Sequence, residues 1–321
     1  MHDHPLHAAL ADVLWHDMPL QPSPDELPPL AHYTSIHTLE KIARTEEIWF
    51  SNPLYMNDVD ELRYGINLGV HAVRTHAGLR HAVPPDQYNA LLDAFDHLYT
   101  AFDSDAAFDV YVFSCSEHSE EIGDDGLLSM WRGYGGDGNG VAMVFDMARL
   151  LAVPASPLLV RQVQYLSYEQ SEAWMEQKLH RVAAALTGLQ APVEQMAQAA
   201  AALFERIKLF ALFTKHRGFH EEREWRVVYL REQDHAAAFT HLLHYAISKR
   251  GIEPRLRFTT AALASETAAA PSLQAMVQRI ILGPVLATPL ALRSVVRMLE
   301  IHQPAWADRV ARSSTPYRAQ R

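Results

Sequence analysis

The chain has one cysteine, Cys115, so neither an intrachain disulfide nor a multi-cysteine metal site can form. No run of about 18 apolar residues occurs, which excludes a helix crossing a bilayer. Gly-Lys-Ser/Thr is missing, and with it the P-loop; His-Glu-x-x-His is missing too. The opening Met1-His2-Asp3-His4 has neither the basic start nor the apolar core of a signal peptide, so a bacterial-type cytoplasmic protein without a membrane partner is expected. Positive charge is in deficit. The net of −10 argues against bulk affinity for nucleic acid or anionic membrane. The deficit is uneven: Lys249 to Arg321 holds 11 Lys/Arg against 4 Asp/Glu, a net of +7, which leaves −17 for the first 248 residues. That basic end could receive a phosphate-bearing ligand or an acidic partner, or simply be a solvated surface.

What is present divides into recognisable elements. Residues 1–29 read as a flexible lead-in, with five prolines between Met18 and Pro29 and an amphipathic scrap around Leu6 to Leu14. His2, His4 and His7 there are a metal cluster or a mobile tail. From residue 30 to 321 the pattern predicts a single α+β domain. Strands are expected at 31–33, 48–50, 110–115, 141–145, 158–165, 224–230, 255–259 and 279–282, with a last short one near Val310. Helices are expected from Ile36, from an Asn57 or Asp58 cap, from Asp86 and over 288–300. The stripe Tyr88, Leu91, Leu92, Phe95, Leu98, Tyr99 and Phe102 has clear helical spacing. Residues 167–214 predict an inserted helical hairpin, broken near Gly188 and Pro192. Strands scattered between helices without βαβ rhythm favour a mixed or antiparallel sheet.

The stretch Cys115 to Asp146 looks most like a ligand wall. It sets Trp131-Arg132-Gly133-Tyr134 before a loop with four of the chain's 14 glycines. Gly133 to Gly138 fits G-x-G-x-x-G, yet a helical turn precedes it and a strand follows, the reverse of the dinucleotide fingerprint. The loop is then either a tight connection needing positive φ or a ligand loop. Cys115, ending an apolar strand, reads as a core thiol. His216 and His220 would share one helical face, but a strand starts too soon after them, and no metal is expected.

Two polar sets could carry chemistry. If Glu222 to Tyr229 is a strand, Glu222, Glu224 and Arg226 share a face. Such a set could grip a ribose diol or stabilise a developing cation; a surface ion-pair ladder is the alternative. His32-Tyr33-Thr34-Ser35 lies at a strand end entering a helix. His32 could donate to a ribose or diphosphate, or satisfy the helix start.

Taken together, several segments resemble a bacterial domain family of unknown function, number twenty-nine seventy-one. They are His32-Tyr33-Thr34-Ser35, Trp49-Phe50-Ser51-Asn52-Pro53, Met56-Asn57-Asp58, Phe113-Ser114-Cys115, Leu128-Ser129-Met130-Trp131 with Tyr134, Gly140-Val141-Ala142, Glu222 to Arg226, Ile280 to Gly283 and Ser314 to Arg318. The chain is also similar, more distantly, to the ADP-ribosyltransferase superfamily, which implies an ADP-ribosyltransferase-like fold with NAD as substrate. On that likeness His32, with Tyr33 and Thr34, binds the cofactor ribose. Tyr134 or Trp131 walls the nicotinamide, Arg132 or Arg226 pairs with the diphosphate, and Glu224, with Glu222, is catalytic. A fixed carboxylate would stabilise the oxocarbenium-like transition state. The expectation is an NAD-dependent ADP-ribosyltransferase or NAD glycohydrolase, a toxin or phage-defence effector, acting on a protein or nucleic-acid acceptor. The rivals are a non-enzymatic nucleotide- or partner-binding module, and a nucleic-acid-directed enzyme using Arg309, Arg312 and Arg318.

Overall fold

A computed structural model describes residues 5–18, 22–56, 59–153, 156–189, 191–248, 251–264 and 269–317. In chain order the first elements are α1 (Pro5–Trp15), β1 (Leu30–Ser35), α2 (Ile36–Thr45), β2 (Ile48–Ser51), α3 (Val59–Thr75), α4 (Ala77–Ala82), α5 (Pro85–Ser104) and β3 (Val110–Glu117). Next come α6 (Leu128–Gly133), β4 (Gly140–Phe145), α7 (Ala148–Leu151), β5 (Leu158–Gln162), β6 (Gln164–Leu166), α8 (Tyr168–Leu189), α9 (Met196–Leu212) and β7 (Thr214–His216). The last are β8 (Glu224–Leu230), β9 (Leu243–Ser248), β10 (Gly251–Phe258), α10 (Leu273–Met276), β11 (Val277–Leu282), α11 (Pro289–His302) and β12 (Val310–Arg312). Among the described residues no helix is long and apolar enough to cross a membrane. His2, His4, Asn57, Asp58 and Arg318 lie outside the described residues.

The chain divides into two compact units. One comprises Met1–Leu20, Pro53–Val110 and Val163–Phe219 and is mainly helical. The expected hairpin is there as α8 and α9, alongside α3, α4 and α5. The expected stripe on α5 buries Tyr88, Leu91, Phe95 and Phe102. Phe95 and Phe102 each present an edge to Phe204 of α9, with ring centres 5.7 Å apart. Within the stretch read as a lead-in, residues 5–15 form α1, with Leu6, Leu10 and Leu14 buried. Its last carbonyls are taken up: Arg206 Nε donates to Leu14 at 2.9 Å and Lys178 Nζ to Val13 at 3.1 Å. The strand expected over 158–165 is two strands, β5 and β6, and β6 pairs in parallel with β7 inside this unit.

The other unit, Gln21–Asn52, Tyr111–Gln162 and His220–Arg321, is built on a ten-stranded mixed sheet. Its main order is β12-β11-β4-β1-β3-β2-β10-β9, with β8 joining β3 to β5. The β11–β12 pair is parallel, while β1–β4, β4–β11, β2–β10, β9–β10 and β5–β8 are antiparallel. This is the expected α+β architecture with flanking helices. Period-two alternation sorts β1 between two cores. Leu30 joins the larger one with Phe50, Phe113, Met143 and Trp225, while Ala31 and Tyr33 join Met130, Trp131, Ala142 and Ile281. Ser35 caps α2, accepting from Thr38 N at 3.1 Å.

Candidate functional site

A gap in strand pairing opens a cleft in the sheet unit. Successive residues of a strand point their backbone groups to opposite edges. On β3, Glu117 N donates to Arg223 O on the β8 side, so Ser116, Ser114 and Val112 address the other edge. There β1 takes only the end of β3, through Leu30↔Glu117 and Ala31↔Ser116. At the far end β2 takes Val112 through Ser51. Ser114 lies between them, and the His32 side chain fills the vacancy: Nδ1 meets the Ser114 carbonyl at 2.9 Å. A carbonyl can only accept, so Nδ1 carries the proton. Burial lowers the His32 pKa, partly opposed by the Ser114 bond, which keeps the ring neutral. Its Nε2 is therefore an acceptor. The ring also lies 4.4 Å from that of Phe113.

The cleft, about 550 Å³, is lined by His32, Phe113 and Ser51, by Lys41 and Arg44 from α2, by Glu47 and Trp49, and by Arg255 and Arg257 from β10. Alternation on β10 puts both arginines on one face, opposite Ser51 and Trp49 of β2. Arg257 grips Glu47 with Nε at 3.0 Å and with a second, shorter bond. The Glu47 carboxyl is held below its usual range chiefly by that guanidinium. Trp49 is 40% exposed, offers its ring edge to His244, and donates Nε1 to Glu47 at 3.1 Å. Three of the four cations beside this exposed indole are ion-paired: Arg44 to Glu40 at 3.0 Å, Arg255 to Glu253 at 2.6 Å, and Arg257 to Glu47. The wall therefore carries a small net positive charge beside a flat ring, a composition that suits a flat ligand bearing negative charge.

The residues expected at the site fall into separate places. Tyr33 turns away from the cleft. Its hydroxyl accepts from Leu127 N at 2.8 Å, and burial pushes its pKa up to about 12. Thr34 pairs with Val141 in β4, and its carbonyl oxygen lies where a Cβ on Gly140 would fall, at 2.3 Å. Trp131 is fully buried, edge-on to Tyr33, with Nε1 donating to Asp125 O at 2.7 Å. It is a core residue. Arg132 stacks over Tyr317 at 5.4 Å. Tyr134, 40% exposed, donates its hydroxyl to Glu222 Oε1 at 3.2 Å.

Glu222 and Glu224 do not share a strand face. Glu222 ends a 3-10 turn, and Arg223, at φ 44°, separates it from β8. Glu224 is buried, held by Arg226 through bonds of 2.8 and 3.1 Å to its two oxygens, so a surface ladder is excluded. None of Tyr33, Thr34, Trp131, Arg132, Tyr134, Glu222, Glu224 and Arg226 lines the His32 cleft. The glycine loop is a connection: Gly136, Asp137 and Gly138 have φ of 58°, 54° and 79°, and Gly138 O and Gly140 O accept from Val285 N and Gly283 N. Arg309 directs its guanidinium to the carbonyls of Gln274 and Val277.

Sequence reading missed Lys41, Arg44, Glu47, Trp49, Arg255 and Arg257. Two signals were available: a tryptophan at an alternation position that β2 leaves outward, and the Arg255-Leu256-Arg257 alternation.

The sheet and its cleft define the class of molecule, an α+β protein with a basic, aromatic-edged pocket at a strand gap. A family model described as "Protein of unknown function (DUF2971)" matches residues 130–227. That stretch holds the Tyr134–Glu222 and Glu224–Arg226 pairs and no residue lining the His32 cleft. No curated protein and no solved structure shows significant similarity to the chain.

Proposed function

We propose that the sheet unit binds a phosphate-bearing nucleotide in the His32 cleft, and that NAD is the first ligand to test. The observation that carries this reading is the neutral His32 acceptor beside Lys41, Arg44, Arg255 and Arg257 in a cleft of about 550 Å³, a usual size for a small-molecule site. In this reading His32 Nε2 accepts from a ribose hydroxyl. Lys41 and Arg44, both exposed, meet the phosphates, and Trp49 offers a face to a ring. Glu47 accepts from a second hydroxyl while Arg257 keeps it ionised.

The transferase reading adds a step, cleavage of the nicotinamide bond with Glu224 or Glu222 stabilising the developing cation, and it requires the ligand to reach beyond the His32 cleft, which neither carboxylate lines. It is favoured by one contact, the 3.2 Å bond that brings Tyr134 and Glu222 together. The buried pairing of both Glu224 oxygens with Arg226 favours binding without turnover. Calorimetry with NAD, run beside an assay of nicotinamide release, separates the two. Binding without release supports a binding module, whereas release that Glu224→Gln abolishes supports the transferase. Neither binding nor release in the wild type would sink both.

A further inference from the structure

Strand β9 ends the main order of the sheet, so one of its edges has no strand beside it among the described residues. Every second residue of an edge strand turns its N–H and C=O away from the sheet, a template for another strand. Natural chains protect such an edge with lysine, proline or a bulge. β9 carries no Lys, Arg, Asp, Glu or Pro, and its pairing with β10 runs from Leu243↔Leu256 to Ser248↔Gly251 without a bulge.

The β9–β10 hairpin also outruns its support. Among the described residues β10 pairs with β2 from Arg255 to Phe258, so residues 251–254 and the β9 residues opposite them form a two-stranded overhang. A two-stranded ribbon alone is marginal in water. Period-two alternation gives the overhang two faces. One continues the cleft side, from Arg255 and His244 to Glu253 and Ala246. The other continues the core side, from Leu256 and Leu243 through Pro254 and Tyr245 to Ile252 and Ile247. Past the core its apolar side chains stand in water: Tyr245 is 60% exposed, Ile252 59% and Ile247 85%.

We propose that β9 pairs antiparallel with β9 of a second copy of this chain, about a two-fold axis at Ala246. A two-fold normal to the sheet opposes residues of one face, so the axis must fall on a residue paired with its own copy. At Ala246 it sets Tyr245 against the partner's Ile247 and Ile247 against the partner's Tyr245, two aromatic–β-branched pairs that join the apolar rows of both hairpins. Charge selects the same occupant. A net of −10 makes copies repel where charged surfaces meet, and this strip brings no charge to the contact. Size sets the strength. Pairing through one hairpin falls below the about 1,000 Å² expected of a stable interface, so the dimer is weak, with a Kd of about 10–100 µM. Neither Tyr245, Ala246, Ile247 nor Ile252 lines the His32 cleft, so the dimer and the nucleotide reading stand or fall separately.

Sedimentation equilibrium of the full chain from about 1 to 500 µM tests it. The wild type is expected to move from the monomer mass toward twice that mass, at least as readily in about 0.5 M NaCl, where repulsion is screened. Ile247→Lys and Tyr245→Lys each put a cation on the strip and should raise the dissociation constant about tenfold or more. Both positions are exposed, so melting temperatures should hold; if one variant melts early, the other decides. Leu290→Lys, at a side chain of α11 that is 78% exposed, should leave association unaltered. A monomer at every concentration, association that ignores both strip lysines, or growth beyond a dimer would overturn the pairing. So would association that dissolves in salt, or that Leu290→Lys weakens as much as the strip variants do.

Discussion

His32 is neutral because burial of the ring disfavours its charged form, a penalty that the bond to the Ser114 carbonyl only partly offsets. That has a consequence for stability. Its folded pKa lies below the ordinary 6.5, so the unfolded state takes up the proton first as pH falls. The His32 contribution is therefore complete above about pH 6.5 and is lost below it, down to the depressed folded value. His118, also lowered mainly by burial, adds a slope of the same sign. Denaturation midpoints between about pH 5 and 8 should fall toward acid in the wild type, and less steeply in His32→Asn. An unchanged slope would remove His32 from this role. Tyr33 makes a second residue-level prediction. Tyr33→Phe strips Leu127 N of its acceptor and should cost about 1–2 kcal/mol in urea denaturation, with NAD binding unaltered. Position 32 stood out in the sequence as a polar residue at a strand end. Its actual partner, a carbonyl 82 residues away, depends on where β1 leaves β3, and no local pattern encodes that.

At the scale of elements, glycines separate packing constraints from mere permissiveness. Gly140 opens β4 against β1 so closely that a Cβ would sit 2.3 Å from Thr34 O, and backbone cannot yield as a side-chain end would. Gly140→Ala should destabilise by about 3 kcal/mol or more. Gly188, in the last turn of α8, meets nothing within 4 Å of an added Cβ. Gly188→Ala should stabilise by about 0.5–1 kcal/mol through helix propensity. Thermal melts of both variants check the pair; equal effects would contradict the packing account. Elements with strong period were legible: the α5 stripe, β3, β4 and the α8–α9 hairpin all lie where the pattern put them. Elements whose limits come from backbone irregularity were not. Arg223 takes a positive φ with no glycine to announce it, so the alternation that joined Glu222 to Glu224 stops one residue short. The strand expected at 255–259 is the end of β10, which begins at Gly251, runs through Pro254 and pairs with β9, a strand the sequence reading did not place.

For the whole molecule, the site is assembled from far-apart residues. Its walls come from positions 32 to 257, and the chain passes through the helical unit between them. The sequence displayed the acid pair and the glycine loop; Glu224 sits in a buried ion pair with Arg226, Glu222 lies on a turn beside Tyr134, and the loop is a tight connection. The basic wall lay hidden in short strands whose faces only sheet topology could orient. The central claim, that the His32 cleft holds a phosphate-bearing nucleotide, is therefore a claim about charge gathered by the fold. Its most direct test is calorimetric titration of the wild type and of Lys41→Glu/Arg44→Glu with NAD and with ADP-ribose. Both substituted positions are exposed, so the fold should survive the reversal. The account predicts binding of at least one of the two ligands to the wild type and a loss of about tenfold or more in the variant. No heat with either ligand up to about 1 mM, or an affinity indifferent to the charge reversal, would contradict it.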